Sequence, residues 1–217
     1  MSKCLICENI THKIIDTQIK YQGSYVYYHV CETCGFTFKD HRFYPNSEEE
    51  KSQYDFHQNT FENIGYVNMF KRFIAQAIDP FIKKGKALDF GSGPGPVLAT
   101  LLKEKGFDTE IYDPYYSPNK DVLSHKYDVI TLTEVCEHFH SPISMFEQLI
   151  SLLKKEGYLV IMTQFIKDPK QFLSWWYRRD STHVAFYTEQ SFKYLAAKYN
   201  LDIVYNNHKD SLTLRSR

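Results

Sequence analysis

Residues 87–96, with the sequence ALDFGSGPGP, limit the possible folds of this chain more than any other feature. Their pattern predicts a buried strand, then a glycine turn, then the start of a helix. Gly91, Gly93 and Gly95 permit backbone angles that are closed to other residues and let the main chain approach a ligand closely. The following helix offers its unsatisfied N–H groups at the same place. A turn of this kind is typical of a site for a nucleotide-like ligand.

The turn departs from the dinucleotide-binding pattern G-x-G-x-x-G, in which the sixth position is glycine. Proline occupies that position here, as Pro96, and together with Pro94 it removes two amide donors that a phosphate would use. The carboxylate of Asp89, two residues before the first glycine, favours a ligand with a cationic amino group. S-adenosylmethionine is such a ligand.

Residues 86–164 resemble the class I S-adenosylmethionine-dependent methyltransferases, whose first motif is matched by residues 89–95. Predicted strands at 109–112, 127–134 and 157–163 follow in the order of that family. The resemblance implies an α/β, Rossmann-like fold with a mostly parallel sheet and helices on both faces, and S-adenosylmethionine as cofactor. The predicted cofactor-binding residues are Asp89, Gly91, Ser92, Gly93, Gly95, Asp113, Pro114 and Glu134. A Rossmann-like domain without an adenosylmethionine site is the alternative.

Asp113 stands 22 residues beyond Gly91, where a carboxylate is placed to accept hydrogen bonds from both ribose hydroxyls. Only 13 residues separate Asp113 from Tyr127. The usual third strand, with its acid on the adenine side, therefore has little room, and the sequence assigns no adenine contacts.

The chain has 26 basic and 26 acidic residues. This balance of charge argues against non-specific binding of nucleic acid. No apolar run approaches the ~20 residues of a membrane span, and the N-terminus lacks a hydrophobic signal region. We therefore expect a cytoplasmic protein that binds neither nucleic acid nor a membrane. The sequence leaves the oligomeric state open.

Four of the five cysteines form two Cys-x-x-Cys pairs, Cys4 with Cys7 and Cys31 with Cys34, separated by 23 residues. This spacing predicts a zinc ribbon in which four thiolates hold one structural Zn²⁺ ion and leave no open coordination position. Zinc ligation, worth on the order of 10–16 kcal/mol in small zinc peptides, would stabilise a segment with so few aliphatic residues. Disulfides are the alternative, disfavoured by a reducing cytosol.

The chain is thus predicted to contain three parts, which are a small N-terminal β-rich zinc ribbon at 1–40, a polar linker at 41–59 and a methyltransferase domain at 60–217. Thr60 is expected to cap a helix whose apolar residues recur at steps of three and four. These apolar residues are Phe61, Ile64, Phe70, Phe73, Ile74, Ala77 and Phe81.

Two further helices are predicted. One has Leu98, Leu101 and Leu102 on its buried face and ends near Gly106. The other begins at Ser141-Pro142, buries residues as far as Leu153 and ends just before Gly157.

The methyl acceptor is expected at the carboxyl ends of the strands, between residues 134–138 and an aromatic segment, which we define as residues 175–187. The predicted acid–base residues are His183, His138 and Tyr187, and the predicted substrate-binding residues are Arg178, Arg179, Trp176 and Tyr177. His138 with a purely structural role, and an aromatic segment whose arginines form salt bridges, are the alternatives.

These features predict transfer of a methyl group from S-adenosylmethionine to a small or medium-sized acceptor, such as a sugar, a glycan precursor or another metabolite. The whole chain resembles bacterial zinc-ribbon methyltransferases and, more loosely, sugar C-methyltransferases with an N-terminal zinc module. An RNA methyltransferase that uses the ribbon to hold its substrate is one alternative. A noncatalytic adenosylmethionine-binding or scaffold protein is the other.

Overall fold

The structure, a computed structural model, describes residues 2–56 and 60–217. Within this part of the chain a six-stranded sheet forms the centre of the molecule, in the order β5-β4-β6-β7-β10-β9. Its strands are β4 (Lys86–Phe90), β5 (Asp108–Tyr112), β6 (Tyr127–Thr133), β7 (Leu153–Met162), β9 (Leu201–Asn206) and β10 (Ser211–Ser216). The predicted Rossmann-like α/β fold is confirmed.

Strands β5, β4, β6 and β7 run parallel to one another, whereas β10 runs antiparallel to both β7 and β9. Apolar residues lie on both faces of β4 and β6, two of the four inner strands, because helices cover the sheet on each side. Leu88 and Ile130, which are paired in register, are fully buried. The carboxyl ends of the parallel strands therefore meet at one edge, where the glycine turn follows β4.

Helices α2 (Ile64–Phe73), α3 (Val97–Glu104), α4 (Pro142–Ser151) and α5 (Glu189–Lys198) flank this sheet. The predicted start of α2 at Thr60 is wrong, because the side chain of Asn63 caps the helix by accepting a hydrogen bond from the Tyr66 amide at 3.1 Å. Phe61 and Ile64 are consequently exposed. A π-helical turn at Ile74–Ile78 continues α2 towards the sheet.

Helix α4 begins at Pro142 as predicted, but it ends at Ser151, earlier than expected. Leu153 starts β7, and Gly157 lies inside that strand and not just after a helix. A Cβ atom at Gly157 would lie 2.9 Å from the carbonyl oxygen of Lys154, so the close backbone approach explains the glycine.

Between β5 and β6 the described chain forms a loop and a short 3₁₀-helix (Lys120–Ser124) in place of a third strand. The hydroxyl of Tyr127 donates a hydrogen bond to the carbonyl of Val122 at 2.6 Å and fixes this helix against the sheet. The short connection predicted from the spacing is thus present.

A second, antiparallel sheet contains β1 (His12–Tyr21), β2 (Ser24–Val30), β3 (Thr37–Lys39) and β8 (Ala185–Phe186). Strand β8 comes from the C-terminal half of the chain and pairs with β3. The N-terminal hairpin and the aromatic segment are therefore one structural unit. The predicted N-terminal β-rich module is present, but its sheet is completed by residues beyond position 40.

The segment predicted to be a polar linker contains helix α1 (Ser47–Tyr54), which begins with a capping box between Asn46 and Glu49. Glu50 on this helix accepts a hydrogen bond from the Tyr115 hydroxyl at 2.6 Å, so α1 packs over the loop that follows β5. The last three residues of the predicted linker, 57–59, lie outside the described residues. The division at 40 and 60 remains a prediction.

Across residues 2–56 and 60–217, no helix combines the length and apolar character required to cross a membrane.

Candidate functional site

A cavity of about 600 Å³ opens at the carboxyl ends of β4, β5 and β6. One wall is the glycine turn, and another contains His138, Tyr177 and His183. Of the predicted cofactor-binding residues, all eight line this cavity, namely Asp89, Gly91, Ser92, Gly93, Gly95, Asp113, Pro114 and Glu134. The cavity therefore joins the residues predicted for the cofactor to residues predicted for the acceptor.

The backbone of the glycine turn requires residues without a Cβ atom at two positions. Gly91 and Gly93 have φ angles of 78° and 64°, in the left-handed region. A Cβ atom at Gly91 would also lie 2.3 Å from Cγ2 of Val135, in the loop after β6. The turn thus packs directly on that loop, which brings the two walls of the cavity together.

Asp113 is held by backbone N–H groups on both of its oxygens. Oδ2 accepts a hydrogen bond from Gly93 N at 3.0 Å, and Oδ1 accepts from Tyr115 N at 2.8 Å and Tyr116 N at 3.0 Å. An ionised carboxylate has about four acceptor positions, so three are used within the protein. Room remains for about one further donor.

Asp89 is buried at the end of β4, with 2% of its surface exposed. Its Oδ1 atom accepts a hydrogen bond from the Thr131 hydroxyl at 2.9 Å. Burial raises the pKa of the Asp89 carboxyl to about 6, and the Thr131 hydrogen bond opposes that rise. A cation bound in the cavity would favour the ionised form.

Two glutamates of the loop after β6 share one hydroxyl. The Tyr177 hydroxyl contacts Oε1 of Glu137 and lies 3.0 Å from Oε2 of Glu134. Glu134 lines the cavity, whereas Glu137 is fully buried behind the wall. Desolvation by the surrounding protein, followed by the nearby Glu137 carboxylate, raises the pKa of Glu134 well above its ordinary value.

His138 and His183 lie side by side on the same wall, with ring centroids 4.9 Å apart. Nδ1 of His138 is 3.0 Å from the Thr182 carbonyl oxygen, and Nδ1 of His183 is 2.7 Å from the Tyr177 carbonyl oxygen. Since a carbonyl only accepts, each Nδ1 carries a proton, and in the neutral form of either ring the lone pair would lie on Nε2. Burial, followed by the neighbouring His183, lowers the pKa of His138 to about 4.

The structure brings some of the predicted acceptor-site residues to the cavity and keeps others away. Trp176 and Tyr177 line it, and Trp176 is largely exposed. Arg178 instead lies fully buried below the cavity, where its guanidinium pairs with Asp16 of β1 at 3.2 Å. It is therefore a structural link and not an anion anchor.

Arg179 and Tyr187 also lie outside the cavity. Arg179 is exposed and lines a smaller cleft beside Lys39. Tyr187 is fully buried, stacks on Phe192 and donates a hydrogen bond to the Cys136 carbonyl at 3.1 Å. Its phenol belongs to the core and is not placed for acid–base chemistry.

Several residues that line the cavity are not among the site residues predicted from the sequence. They are Glu50 and Tyr54 of α1, Tyr66 of α2, Tyr115 and Tyr116 after β5, and Asp180 of the aromatic segment. The polar composition of α1 indicates a solvent-exposed segment. Only its tertiary contacts show that it lines the cavity. Glu137 was also undervalued, although its position three residues after Glu134 and next to His138 was a visible signal.

The sulfur atoms of Cys4, Cys7, Cys31 and Cys34 all lie within 4.8 Å of one another. Cys4 Sγ is 3.5 Å from Cys34 Sγ, Cys7 Sγ is 3.4 Å from Cys31 Sγ, and none of the four is in a disulfide. Four thiolates at Zn–S distances of about 2.3 Å would stand about 3.8 Å apart. The amide of Ile6 also points at Cys4 Sγ, at 3.4 Å.

Residues 62–206 of the chain match the family model described as a methyltransferase domain. A search of curated protein sequences found no significant match.

Solved structures of similar fold include three methyltransferases. The mitomycin 7-O-methyltransferase MmcR has a TM-score of 0.54 and 14% identity, covering 71% of this chain and 55% of its own. CalO1, a methyltransferase in calicheamicin biosynthesis solved with S-adenosylhomocysteine bound, has a TM-score of 0.52 and 15% identity, covering 72% and 56%. A SAM-dependent methyltransferase from Archaeoglobus fulgidus has a TM-score of 0.52 and 14% identity, covering 69% and 92%. The chain thus spans little more than half the length of the first two.

Proposed function

Because this chain belongs to the methyltransferase domain family, we propose that it transfers a methyl group from S-adenosylmethionine to a small molecule bound between the glycine turn and the His138–His183 wall. The observation that carries this proposal is the single cavity that contains both sets of residues. A sugar, a glycan precursor or another hydroxylated metabolite is the acceptor class. MmcR, a mitomycin 7-O-methyltransferase, and CalO1, a methyltransferase in calicheamicin biosynthesis, support this class.

The cofactor is assigned to the glycine-turn side of the cavity. Gly91 and Gly93 let the methionine part lie against the backbone, and the Asp89 carboxylate attracts its ammonium group. Asp113, with one acceptor position left, takes one ribose hydroxyl and not both. From the sequence alone, Asp113 was expected to accept hydrogen bonds from both ribose hydroxyls.

The chemical step is an in-line displacement at the sulfonium methyl. A lone pair of the acceptor oxygen forms the new O–C bond, the C–S bond breaks, and its electron pair stays on sulfur, which gives S-adenosylhomocysteine. The acceptor proton must leave, and the two imidazoles are the bases that stand at that wall. Positioning and deprotonation are what the protein adds, since the sulfonium is already a strong electrophile.

A screen of hydroxylated acceptors by release of S-adenosylhomocysteine tests this function. His183→Ala should lower turnover on the acceptor found by on the order of a hundredfold or more, while S-adenosylhomocysteine binding stays intact. His208→Ala is the matched control, because His208 is exposed and pairs with Glu189 away from the cavity. Equal turnover in wild type and His183→Ala would contradict the assignment of the acceptor to this wall.

We also propose that Cys4, Cys7, Cys31 and Cys34 hold one structural zinc ion. The support is the closeness of the four sulfurs and the N–H group directed at one of them. Four thiolates fill a tetrahedral site, so this metal would stabilise the ribbon and take no part in the reaction.

A further inference from the structure

Three side chains at the His138–His183 wall lie close together, although methyl transfer does not itself require such a cluster. Glu137, His138 and His183 each offer one ligand atom, and these atoms all lie within 4.8 Å of one another. They come from two separate parts of the chain, the loop after β6 and the aromatic segment. The set contains two imidazoles and one carboxylate, which is a donor set that binds divalent first-row transition metals.

The orientation of both imidazoles is fixed from behind by backbone carbonyls. Thr182 O holds Nδ1 of His138 at 3.0 Å, and Tyr177 O holds Nδ1 of His183 at 2.7 Å. Metal-ligating histidines are usually held in this manner, because a hydrogen bond at one nitrogen sets the tautomer and the ring direction for the other. Each ring is held by one backbone carbonyl, so both imidazoles are oriented before a metal ion binds.

Among the described residues, the Glu137 carboxylate has no lysine or arginine partner. Glu137 is fully buried, its Oε2 atom has no hydrogen-bond partner among residues 2–56 and 60–217, and no lysine or arginine of that part of the chain pairs with it. The Tyr177 hydroxyl has one proton for two carboxylates, those of Glu134 and Glu137. A buried carboxylate with one donor and no cation is costly, and a metal ion at Glu137 would reduce that cost.

We propose that Glu137, His138 and His183 bind a divalent transition-metal cation, of the class of Mn²⁺, Fe²⁺ or Zn²⁺, whose open coordination positions face the cavity. His138 and His183 line the cavity while Glu137 lies behind them, so protein ligands occupy one side of the ion only. This inference rests on the proposed function, since it assigns the ion to the acceptor side. It is separate from the cysteine cluster, which shares none of these residues.

An ion at this position would bind the acceptor oxygen and lower the pKa of its hydroxyl proton. The proton leaves to water in the cavity, the oxygen lone pair forms the O–C bond, and the C–S electrons stay on sulfur. With the ion bound, His138 and His183 would act on the acceptor proton through the metal, in place of the direct proton transfer proposed above.

Titration of Mn²⁺ into the full-length protein, with the ribbon already loaded with zinc, tests the site by loss of the electron paramagnetic resonance signal of free Mn²⁺. One Mn²⁺ per chain is expected for the wild type. Glu137→Gln and His183→Gln should each weaken Mn²⁺ affinity by about 100-fold or more, since even supporting residues contribute 10–100-fold. His208→Ala, together with Glu189→Gln, removes an exposed histidine and acid and should bind Mn²⁺ as the wild type does.

Binding of S-adenosylhomocysteine, measured on the same samples, shows whether each variant is folded. A wild type that binds S-adenosylhomocysteine but no Mn²⁺ would overturn the metal site and leave the proposed function standing. Retention of Mn²⁺ affinity in both ligand variants would also overturn it. Mn²⁺ bound at the site by a protein that fails to bind S-adenosylhomocysteine would instead overturn the proposed function.

Discussion

At the level of single residues, Asp113 serves the protein backbone as well as its proposed ligand. Its three N–H donors, from Gly93, Tyr115 and Tyr116, tie the glycine turn to the loop after β5. Its carboxylate is therefore ordered before a ligand arrives. The sequence located this residue correctly in the cavity, but its hydrogen-bond partners depend on the folded loop and were not predictable.

Asp113→Ala should weaken S-adenosylhomocysteine binding by roughly 1.5–3 kcal/mol, because a ribose hydroxyl loses a charged acceptor and the loop loses its tie. Titration calorimetry measures the change. Asp108→Ala, at the exposed start of β5, the strand that precedes Asp113, is the control and should bind normally. Undiminished affinity in the Asp113 variant would remove the ribose assignment.

Because the Asp89 carboxyl is buried, we expect cofactor binding to depend on pH. Burial holds its pKa at about 6, above the ordinary value, so the carboxyl takes up a proton as the pH falls through that value. The protonated form cannot attract an ammonium group. S-adenosylhomocysteine affinity should therefore be steady above pH 7 and fall by up to about tenfold per pH unit below about 6.

Calorimetry at several pH values, on the wild type and Asp89→Asn, checks this expectation. The variant should bind more weakly at pH 7 and lose the pH dependence below 6. A wild-type affinity that is constant from pH 7 to pH 5 would show that Asp89 does not hold the ammonium group.

At the level of elements, the N-terminal sheet and the aromatic segment depend on each other. Strand β8 pairs with β3, Arg178 pairs with Asp16, and the amide of Lys39 donates to the Val184 carbonyl at 2.8 Å. The cysteine cluster shares one hydrophobic core with Tyr187 and Phe192. The ribbon therefore supports the segment that carries His183.

Cys31→Ser should abolish retention of zinc and lower thermal stability, and the loss should extend beyond the ribbon because the core is shared. Elemental analysis after dialysis that strips weakly held ions should find about one zinc per wild-type chain. Cys136→Ser is the matched control, since Cys136 is buried but outside the cluster, and it should keep the zinc. A wild type that is folded and free of metal would rule out the zinc site.

At the level of the whole molecule, the features that could be predicted from the sequence are those that short stretches of residues determine. The glycine turn, the strand order around it and the cysteine spacing are local patterns with strict backbone or ligand requirements, and they predicted the fold class and a set of residues that line one cavity. The roles of Arg178 and Tyr187 were mispredicted, because they depend on contacts with residues far away in sequence, such as Asp16. Composition alone cannot separate a buried arginine with a partner from one that faces a ligand.

We infer that the cavity between the glycine turn and the His138–His183 wall holds S-adenosylmethionine. Titration calorimetry of the wild-type protein with S-adenosylhomocysteine tests it most directly, with NAD⁺ as the comparison ligand. We predict saturable binding of one S-adenosylhomocysteine per chain and no measurable binding of NAD⁺. Tight binding of NAD⁺, or no binding of S-adenosylhomocysteine by the folded protein, would contradict the account.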